Sequence, residues 1–255
     1  MKSKHYKKNN YIKIKIIFIV IFIIGIIYIG IYLYQCYKDK LNNSNILSNI
    51  TINKEEITPT KTEKMLQLEE LKKQNDDIVG WLEIEGTNIN YPVMQTTDNE
   101  YYMTHNYKKE YSAEGSIFLD KDYNWDIPST NLLMYGHNNK NGSMFQNLMN
   151  YKDEEFYKQH PIISFTTINE DKKYEIIAVF YSRVYYKNEK NVFRYYYFLN
   201  ADNKEEFDYY INESKKASLY DTGKTAEYGE QLLTLSTCSY HTEDGRFVVV
   251  AKKID

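Results

Sequence analysis

The chain has 255 residues, 42% of them hydrophobic, which is enough for one packed domain with attachments. Its formal net charge of −3 hides an uneven distribution, because residues 1–15 carry six lysines and none of the 35 acidic residues. Phosphate contacts need clustered Lys and Arg, so the acidic remainder is not expected to bind nucleic acid. We interpret the 27 tyrosines as the base-composition bias of an AT-rich genome rather than as a functional signal.

Residues 16–37 form an apolar run of 22 residues without a charged side chain. At about 1.5 Å per residue, a helix of this length crosses the roughly 30 Å hydrocarbon core of a membrane. A cleaved signal peptide would end in small residues, whereas no alanine precedes Ala113. We therefore expect 16–37 to be an uncleaved signal anchor, with residues 1–15 as a basic cytoplasmic tail and everything after Tyr37 outside the cell.

The segment after the anchor changes in composition twice. Residues 38–62 are rich in Asn, Ser, Thr, Lys and Glu and are predicted to be a flexible extracellular linker. The folded domain is expected to occupy residues 63–255. It begins with a predicted amphipathic helix over Glu63–Asp77, in which Met and Leu recur at helical spacing.

After this helix the hydrophobic pattern takes the period of strands. Eight short β-branched and aromatic runs predict strands: Ile78–Ile84, Asn88–Met94, Gly115–Leu119, Asn131–His137, Ile162–Ile168, Tyr174–Val184, Gln231–Cys238 and Arg246–Lys253. Two predicted helices interrupt them, at Ser143–Tyr157 and Asp202–Ala217, the second with Asp202 as N-cap and Glu205 completing a capping box. The pattern is typical of a mainly β (α+β) domain whose strands form a closed or nearly closed barrel.

One of the two cysteines ends a predicted strand. Cys36 lies at the membrane edge, whereas Cys238 lies where a strand end meets a loop-lined surface. A free cysteine is most often a small buried hydrophobe. Arg246, however, begins the next strand, and a turn at Asp244-Gly245 would bring its guanidinium beside the sulfur. Its permanent donors favour a thiolate or an oxyanion there, which indicates a nucleophilic cysteine.

A nucleophilic cysteine also needs a proton partner, and two histidines compete for this role. His241 follows Cys238 by three residues, in the presumed turn, whereas His137 ends another predicted strand. Spacing alone does not decide between them. A zinc site at Cys238 and His241 is not favoured, because structural zinc takes four ligands and the sequence offers no second pair. We expect no metal and no cofactor.

Several segments of the chain resemble those of sortases. The Thr-Leu-Ser-Thr-Cys run at 234–238, with an arginine eight positions later, resembles the sortase cysteine signature and catalytic arginine. The Tyr-Gly-His run at 135–137, followed by Gly-Ser-Met-Phe at 142–145, resembles the sortase histidine loop. The predicted helices at 63–77 and 202–217 are similar to those of class B. The resemblance covers residues from Glu63 to the C-terminus and identifies the chain as a member of class B of the family.

The resemblance implies a fold and a reaction. The fold is the eight-stranded sortase-type β-barrel, with an N-terminal helix and a helix before the cysteine-bearing strand. The site is Cys238 as nucleophile, His137 as acid and base, and Arg246 as the group that stabilises the oxyanion or positions the peptide, which leaves His241 as a loop residue. The reaction is that of a cysteine transpeptidase, within the cysteine-peptidase class.

The resemblance also implies partners. The thiolate would cleave a C-terminal sorting signal (NPxTN-like or a variant) of a secreted surface protein after its Thr. The acyl group would pass to a peptidoglycan amine on the outer face of a Gram-positive cell. Residues expected to bind the peptide are Tyr135, Ser236, Asn99, Met103 and Tyr197. Asp244 is a candidate for orienting Arg246, and the calcium site of class A is not expected, because no acidic cluster has suitable spacing.

Two alternatives remain open at this stage. A cysteine peptidase would use the same Cys-His-Arg site and the same acyl-enzyme chemistry but admit water as the second nucleophile. A non-catalytic, membrane-tethered surface module would simply bury its cysteine. The membrane anchor fits all three hypotheses and therefore does not discriminate between them.

Overall fold

The N-terminal part of the chain is one long helix. A computed structural model describes residues 2–44, 46–50, 52 and 61–254, and the chain divides after residue 44 into two compact units. The first unit is helix α1 (Lys2–Ser44), of which Lys13–Asp39 is long and apolar enough to cross a membrane. The predicted span 16–37 lies inside this stretch. The helix extends into the polar residues on both sides, since each added residue gains a backbone hydrogen bond once a helix is nucleated.

The second unit is a closed β-barrel with helices around it. Its α-helices in the described residues are α2 (Glu63–Gln74), α3 (Glu154–Gln159) and α4 (Lys204–Ala217). Its strands are β1 (Ile78–Glu83), β2 (Asn90–Met94), β3 (Ile117–Leu119), β4 (Asn131–Gly136), β5 (Ile162–Thr166), β6 (Asp171–Arg183), β7 (Leu232–Cys238) and β8 (Gly245–Lys253). The predicted fold class is confirmed, and all eight predicted strands appear to within a few residues of their expected bounds.

The strands close in the order β1-β2-β3-β4-β7-β8-β6-β5. Neighbouring strands run antiparallel except for the pairs β2–β3 and β4–β7, which are parallel. Closure pairs both edges of every strand, so the barrel presents no unpaired edge to another chain. Because β4 and β7 are far apart in sequence, their pairing brings two distant segments side by side.

Side chains alternate between the inside and the outside of the barrel wall. Buried apolar residues of every strand fill the interior, among them Leu132, Met134, Leu233, Leu235, Phe247 and Val249. The intervening residues of β4, β7 and β8 face outwards, among them Leu133, Leu232, Val248 and Val250. They form a buried cluster with Phe207 and Tyr210 of α4 and with the aromatic segment before it. The barrel therefore has a second core on its outer surface, beneath α4.

The structure corrects the predicted start of α4. Its N-cap is Asn203, whose side chain accepts a hydrogen bond from the Glu206 backbone N–H (3.0 Å). The Glu206 carboxylate in turn accepts from the backbone N–H of Asp202 (3.1 Å), the residue before the N-cap, so the cap is one residue later than the predicted pair of Asp202 and Glu205. Both pairs have the right spacing. The preceding segment decides between them, because the Ala201 backbone N–H is bonded to the Thr130 hydroxyl (3.2 Å) at the start of β4.

The predicted helix Ser143–Tyr157 is two shorter elements. A 3₁₀ helix covers Gln146–Lys152, and α3 begins after Asp153. The Asp153 side chain accepts from the Glu155 backbone N–H (3.0 Å), so it caps a new helix and ends the previous one. A capping residue inside the predicted helix, Asp153, thus divides it into two helices.

Part of the expected linker packs on the domain. Ile46 is 3% exposed and belongs to a buried cluster with Leu68 and Leu71 of α2. The backbone carbonyl of Leu47 accepts a hydrogen bond from the Gln67 side chain (3.2 Å). Within the range 38–62, residues 45, 51 and 53–60 lie outside the described residues, so a flexible linker over that range stays a prediction.

The capping contact of α4 can be tested by substitution. Asn203→Ala should lower the free energy of unfolding of the barrel by about 1 kcal/mol, because the cap acceptor is lost. The control Asp202→Ala should cost only a few tenths of a kcal/mol, from a weaker attraction to the helix dipole. The measurement is denaturant unfolding of the full chain in detergent, followed by the fluorescence of Trp81 and Trp125, both in the barrel domain. If Asp202→Ala lowered the free energy of unfolding more than Asn203→Ala does, Asp202 would be the N-cap instead.

Candidate active site

Three neighbouring strands bring the three predicted catalytic residues together. Strands β4 and β7 are parallel, with Gly136 paired to Thr237, so the residues that follow these two stand side by side. These residues are His137 and Cys238, on strands that lie about 4.8 Å apart. In the antiparallel pair β7–β8, Cys238 stands directly opposite Arg246. All three side chains line one pocket of about 280 Å³.

The pocket lies against the outer face of the barrel wall. On β4, Leu133 and Tyr135 face outwards, so the alternation continues to His137. On β7 the same alternation runs through Ser236 to Cys238. The pocket is therefore bounded on one side by strand ends and on the other by the segment that connects β6 to α4, which contributes Val184, Tyr195 and Tyr196.

The imidazole of His137 is held by a backbone carbonyl. Its Nε2 lies 2.7 Å from the carbonyl oxygen of Met103, which can only accept a hydrogen bond. The preceding position favours glycine, because a Cβ on Gly136 would lie 2.5 Å from the Ile117 side chain and 2.8 Å from the Phe145 ring, and these would have to shift. The glycine of the Tyr-Gly-His run thus lets β4 pack closely against Ile117 and Phe145, immediately before the residue whose imidazole lines the pocket.

The ends of β4 and β7 are fastened to each other by side chains. The Asn138 side-chain amide donates to the carbonyl of Cys238 (2.9 Å), and the Thr237 hydroxyl donates to the carbonyl of Gly136 (2.7 Å). Cys238 itself is a free thiol and is partly exposed. The sulfur therefore stands on a fixed backbone and stays accessible from the pocket.

Backbone carbonyls also orient Arg246. Its guanidinium donates to the carbonyl oxygens of Gly245 (3.0 Å) and Asp244 (3.2 Å). Asp244 was a candidate for orienting the arginine, and its contact is made by the main chain. Because a carbonyl is neutral, this contact fixes the guanidinium without cancelling its charge.

The competing histidine lies outside the pocket. The ring of His241 packs on Tyr181, with 4.7 Å between ring centroids, and its Nδ1 lies 3.0 Å from the Ser239 hydroxyl. Gly245 gives it room, since a Cβ there would stand 2.9 Å from the ring. The parallel pairing of β4 and β7 is what places His137 rather than His241 at the pocket.

Four of the five expected peptide-binding residues line the pocket, and one does not. Asn99, Met103, Tyr135 and Ser236 all line it. Tyr197 is 69% exposed and lines a separate pocket with Phe193, Arg194, Phe198 and Tyr209. Residues 195–197 form a 3₁₀ helix, in which successive side chains point about a third of a turn apart, so Tyr195 and Tyr196 face the site instead.

A buried carboxylate stiffens one wall of the pocket. Asp120, at the end of β3, is 5% exposed and accepts hydrogen bonds from the Tyr135 hydroxyl and the Asn99 side-chain amide, both at 3.0 Å. Burial, together with the charge of Asp120, raises the pKa of Tyr135 far above its ordinary value. Tyr135 therefore remains a neutral hydrogen-bond donor. Asp120 is not among the predicted site residues, and its only signal in the sequence is its position directly after a buried strand.

Tyr195 ties the aromatic segment to the cysteine strand. Its hydroxyl and that of Ser236 share a hydrogen bond of 2.7 Å, two residues before Cys238. Its ring meets Phe180 edge-on, with 5.9 Å between centroids. Burial raises the pKa of Tyr195, so the phenol stays protonated. Within this aromatic run, Tyr195 and Tyr196 line the pocket that holds Cys238, whereas the predicted Tyr197 lines the separate one.

The combined groups suit acyl transfer. An accessible thiol can attack an acyl carbon, an oriented imidazole can move a proton, and a fixed guanidinium can stabilise the developing oxyanion. Among the described residues, no group of three or more His, Cys, Asp and Glu side chains is arranged to hold a metal ion.

Comparison with known proteins gives consistent matches. The sortase-domain family model matches residues 82–254. Sortase B of Listeria monocytogenes is 36% identical over 190 residues, which cover 74% of each chain. Sortase B of Staphylococcus aureus is 33% identical over 190 residues, which cover 74% of this chain and 75% of that protein.

Solved structures give the same result. A cysteine-to-serine form of Clostridium perfringens sortase B has a TM-score of 0.68 at 32% identity, covering 76% of this chain and 89% of its own. Sortase B of Bacillus anthracis has a TM-score of 0.73 at 30% identity, covering 88% and 99%. Sortase B of Staphylococcus aureus, solved as a substrate complex, has a TM-score of 0.74 at 25% identity, covering 87% and 99%. With the cysteine pocket described above, these matches show that the chain belongs to the sortase family, as a class B sortase and a cysteine-dependent transpeptidase.

Proposed function

We propose that Cys238, His137 and Arg246 carry out the transpeptidation, on a C-terminal sorting signal of a secreted surface protein. The signal is NPxTN-like or a variant and is cleaved after its Thr, and the acyl group passes to a peptidoglycan amine. The observation that carries this proposal is the register of three adjacent strands, which lines one pocket with a thiol, an imidazole and a guanidinium. The matches to sortase B do not favour the peptidase or the non-catalytic module.

In the first half-reaction the Cys238 sulfur bonds to the carbonyl carbon of the Thr. The carbonyl electron pair moves to oxygen, where Arg246 stabilises the negative charge. When the carbonyl re-forms, the bond from carbon to the leaving nitrogen breaks, and protonated His137 gives its proton to that amine. The product is a thioester between the Thr acyl group and Cys238.

In the second half-reaction an amine attacks the thioester carbon. His137 removes a proton from the attacking nitrogen, Arg246 again faces the oxyanion, and Cys238 leaves as the thiolate. A new amide bond forms, and the site returns to its starting protonation state. The thioester keeps the acyl group activated until the amine arrives.

The lining of the pocket supports a peptide as the first substrate. Its apolar side chains, such as Met103, Phe118 and Val184, stand beside the polar side chains of Asn99 and Ser236. Peptide sites commonly combine an apolar lining with a few fixed polar groups. The Staphylococcus aureus relative was solved as a sortase B–substrate complex.

The N-terminal unit supports a location at the membrane. Lys13–Asp39 is long and apolar enough to span it, and the basic residues precede the span. By the positive-inside rule, residues 1–15 lie in the cytoplasm, 16–37 cross the bilayer, and the catalytic domain 63–255 faces the outside. There it meets exported proteins and cell-wall amines.

The nucleophile can be identified by a covalent adduct. Incubated with an NPxTN-type peptide, the full chain should form a thioacyl adduct on Cys238 that mass spectrometry detects after digestion. Cys238→Ala should abolish both adduct and cleavage, because Cys238 is the thiol that lines the pocket. Cys36→Ala is the matched control and should keep full activity, since Cys36 belongs to α1. An adduct on Cys36, or cleavage by Cys238→Ala, would refute the assignment.

The two histidines provide a second matched pair. His137→Ala should lower kcat/KM about 10²- to 10⁴-fold, the usual loss when an acid–base group is removed. His241→Ala should change it by less than about threefold, because this ring packs on Tyr181 outside the pocket. Steady-state cleavage of a fluorogenic sorting peptide measures both. If only His241→Ala lost activity, His241 rather than His137 would be the acid–base group.

The acceptor can be tested by product analysis. Adding a peptidoglycan stem peptide with a free amine should convert the cleaved signal into an amide-linked product, visible by mass. The same stem peptide acetylated on that amine is the control and should give only the slow hydrolysis product. Equal hydrolysis with both peptides would assign the second half-reaction to water.

A further inference from the structure

Gly115 lies against the backbone that orients His137. Its φ of +63° is in the left-handed region, which glycine adopts without strain. A Cβ there would stand 2.7 Å from the carbonyl oxygen of Met103, 2.8 Å from that of Tyr102 and 3.0 Å from Cδ2 of His137. Two of these three contacts are with backbone atoms, which cannot swing aside as the end of a side chain can.

The hydrogen bond beside Gly115 selects one tautomer of His137. The Met103 carbonyl, 2.7 Å from Nε2, offers only lone pairs, so Nε2 must carry the hydrogen. In the neutral ring Nδ1 then carries no hydrogen and is the nitrogen left to accept a proton. Without this hydrogen bond, the ring could adopt either tautomer and could rotate.

The Met103 carbonyl is itself fixed in place by contacts of the neighbouring residue Tyr102. Met103 ends a 3₁₀ helix that begins at Tyr101, and the middle residue, Tyr102, is 2% exposed. The Tyr102 hydroxyl donates to the Asp77 carboxylate (2.8 Å) and accepts from the Asn75 side chain (2.9 Å). The Tyr102 carbonyl accepts from the Ser116 N–H (2.8 Å), directly after Gly115. The acceptor of His137 is therefore fixed by the segment after α2 and by the chain around Gly115.

We propose that Gly115 and the Met103 carbonyl are a positioning device for His137, which keeps the ring as the Nε2–H tautomer with Nδ1 as the working nitrogen. The inference rests on the proposed role of His137 as acid and base. Gly115 acts by leaving space, since any Cβ would push apart the carbonyl and the ring. No role is required of the Met103 side chain.

The tautomer can be read without any substrate. The full chain in detergent micelles, labelled with ¹⁵N at histidine, is studied at a pH where the imidazoles are neutral, and His137→Asn assigns the signals of His137. We expect Nε2 of His137 to show the shift of a protonated nitrogen and Nδ1 that of an unprotonated one. His105 and His160 should show the reverse, because their Nδ1 atoms lie 2.8 Å from backbone carbonyls. The Nδ1–H tautomer at His137 would overturn the inference.

Two glycines form a matched pair for substitution. Gly223 also has a left-handed φ, +68°, but a Cβ there would have nothing within 4 Å. Gly115→Ala should lose the Nε2–H tautomer and lower kcat at least tenfold, while Gly223→Ala, with the same backbone strain, should keep both. Wild-type kcat in folded Gly115→Ala would contradict the proposal. If Gly115→Ala does not fold, the wild-type spectrum still decides. The proposed function fails separately, if His137→Ala retains activity.

Discussion

The site depends on the register of the parallel pair β4–β7. Backbone pairing runs from Asn131 against Leu232 to Gly136 against Thr237, and it puts His137 and Cys238 at the same level on adjacent strands. A shift by one residue would turn every side chain of a strand to the opposite face of the wall. Cys238 would then point into the barrel interior, and Leu235, which fills that interior, would point outwards. The chemistry is therefore set by backbone hydrogen bonds of the barrel.

The same alternation explains the Thr-Leu-Ser-Thr-Cys run. Leu235 fills the interior, while the outward hydroxyls of Thr234 and Ser236 meet Tyr210 (2.8 Å) and Tyr195 (2.7 Å) on the covering segment. The hydroxyl of Thr237 donates a hydrogen bond to the Gly136 carbonyl of the neighbouring strand β4. Each residue of the run thus has a structural role before Cys238 is reached. The two tyrosine contacts also bind the cover of the pocket to the strand that carries the sulfur.

The sequence was informative wherever the determining contacts are local. Strand periodicity and the Asp-Gly turn were enough to pair Cys238 with Arg246. The choice of His137 needed the family resemblance, because a parallel pairing between segments about 100 residues apart leaves no local signal. The N-cap of α4 is Asn203 rather than the predicted Asp202, a choice that the local pattern leaves open because both residues have a Glu three positions later. Composition likewise gave no indication of which tyrosines, such as Tyr195, are buried and bonded.

The orienting groups of the site are neutral carbonyls, and this has an electrostatic consequence. A carboxylate beside Arg246 would fix it equally well but would cancel much of the charge that an oxyanion needs. In the part of the chain that the structure describes, no ion pair involves Arg246, and its partners are main-chain oxygens. The nearby carboxylate, Asp120, is bonded instead to Tyr135 and Asn99. The pocket therefore keeps its negative charge in the wall and its positive charge free to face the substrate.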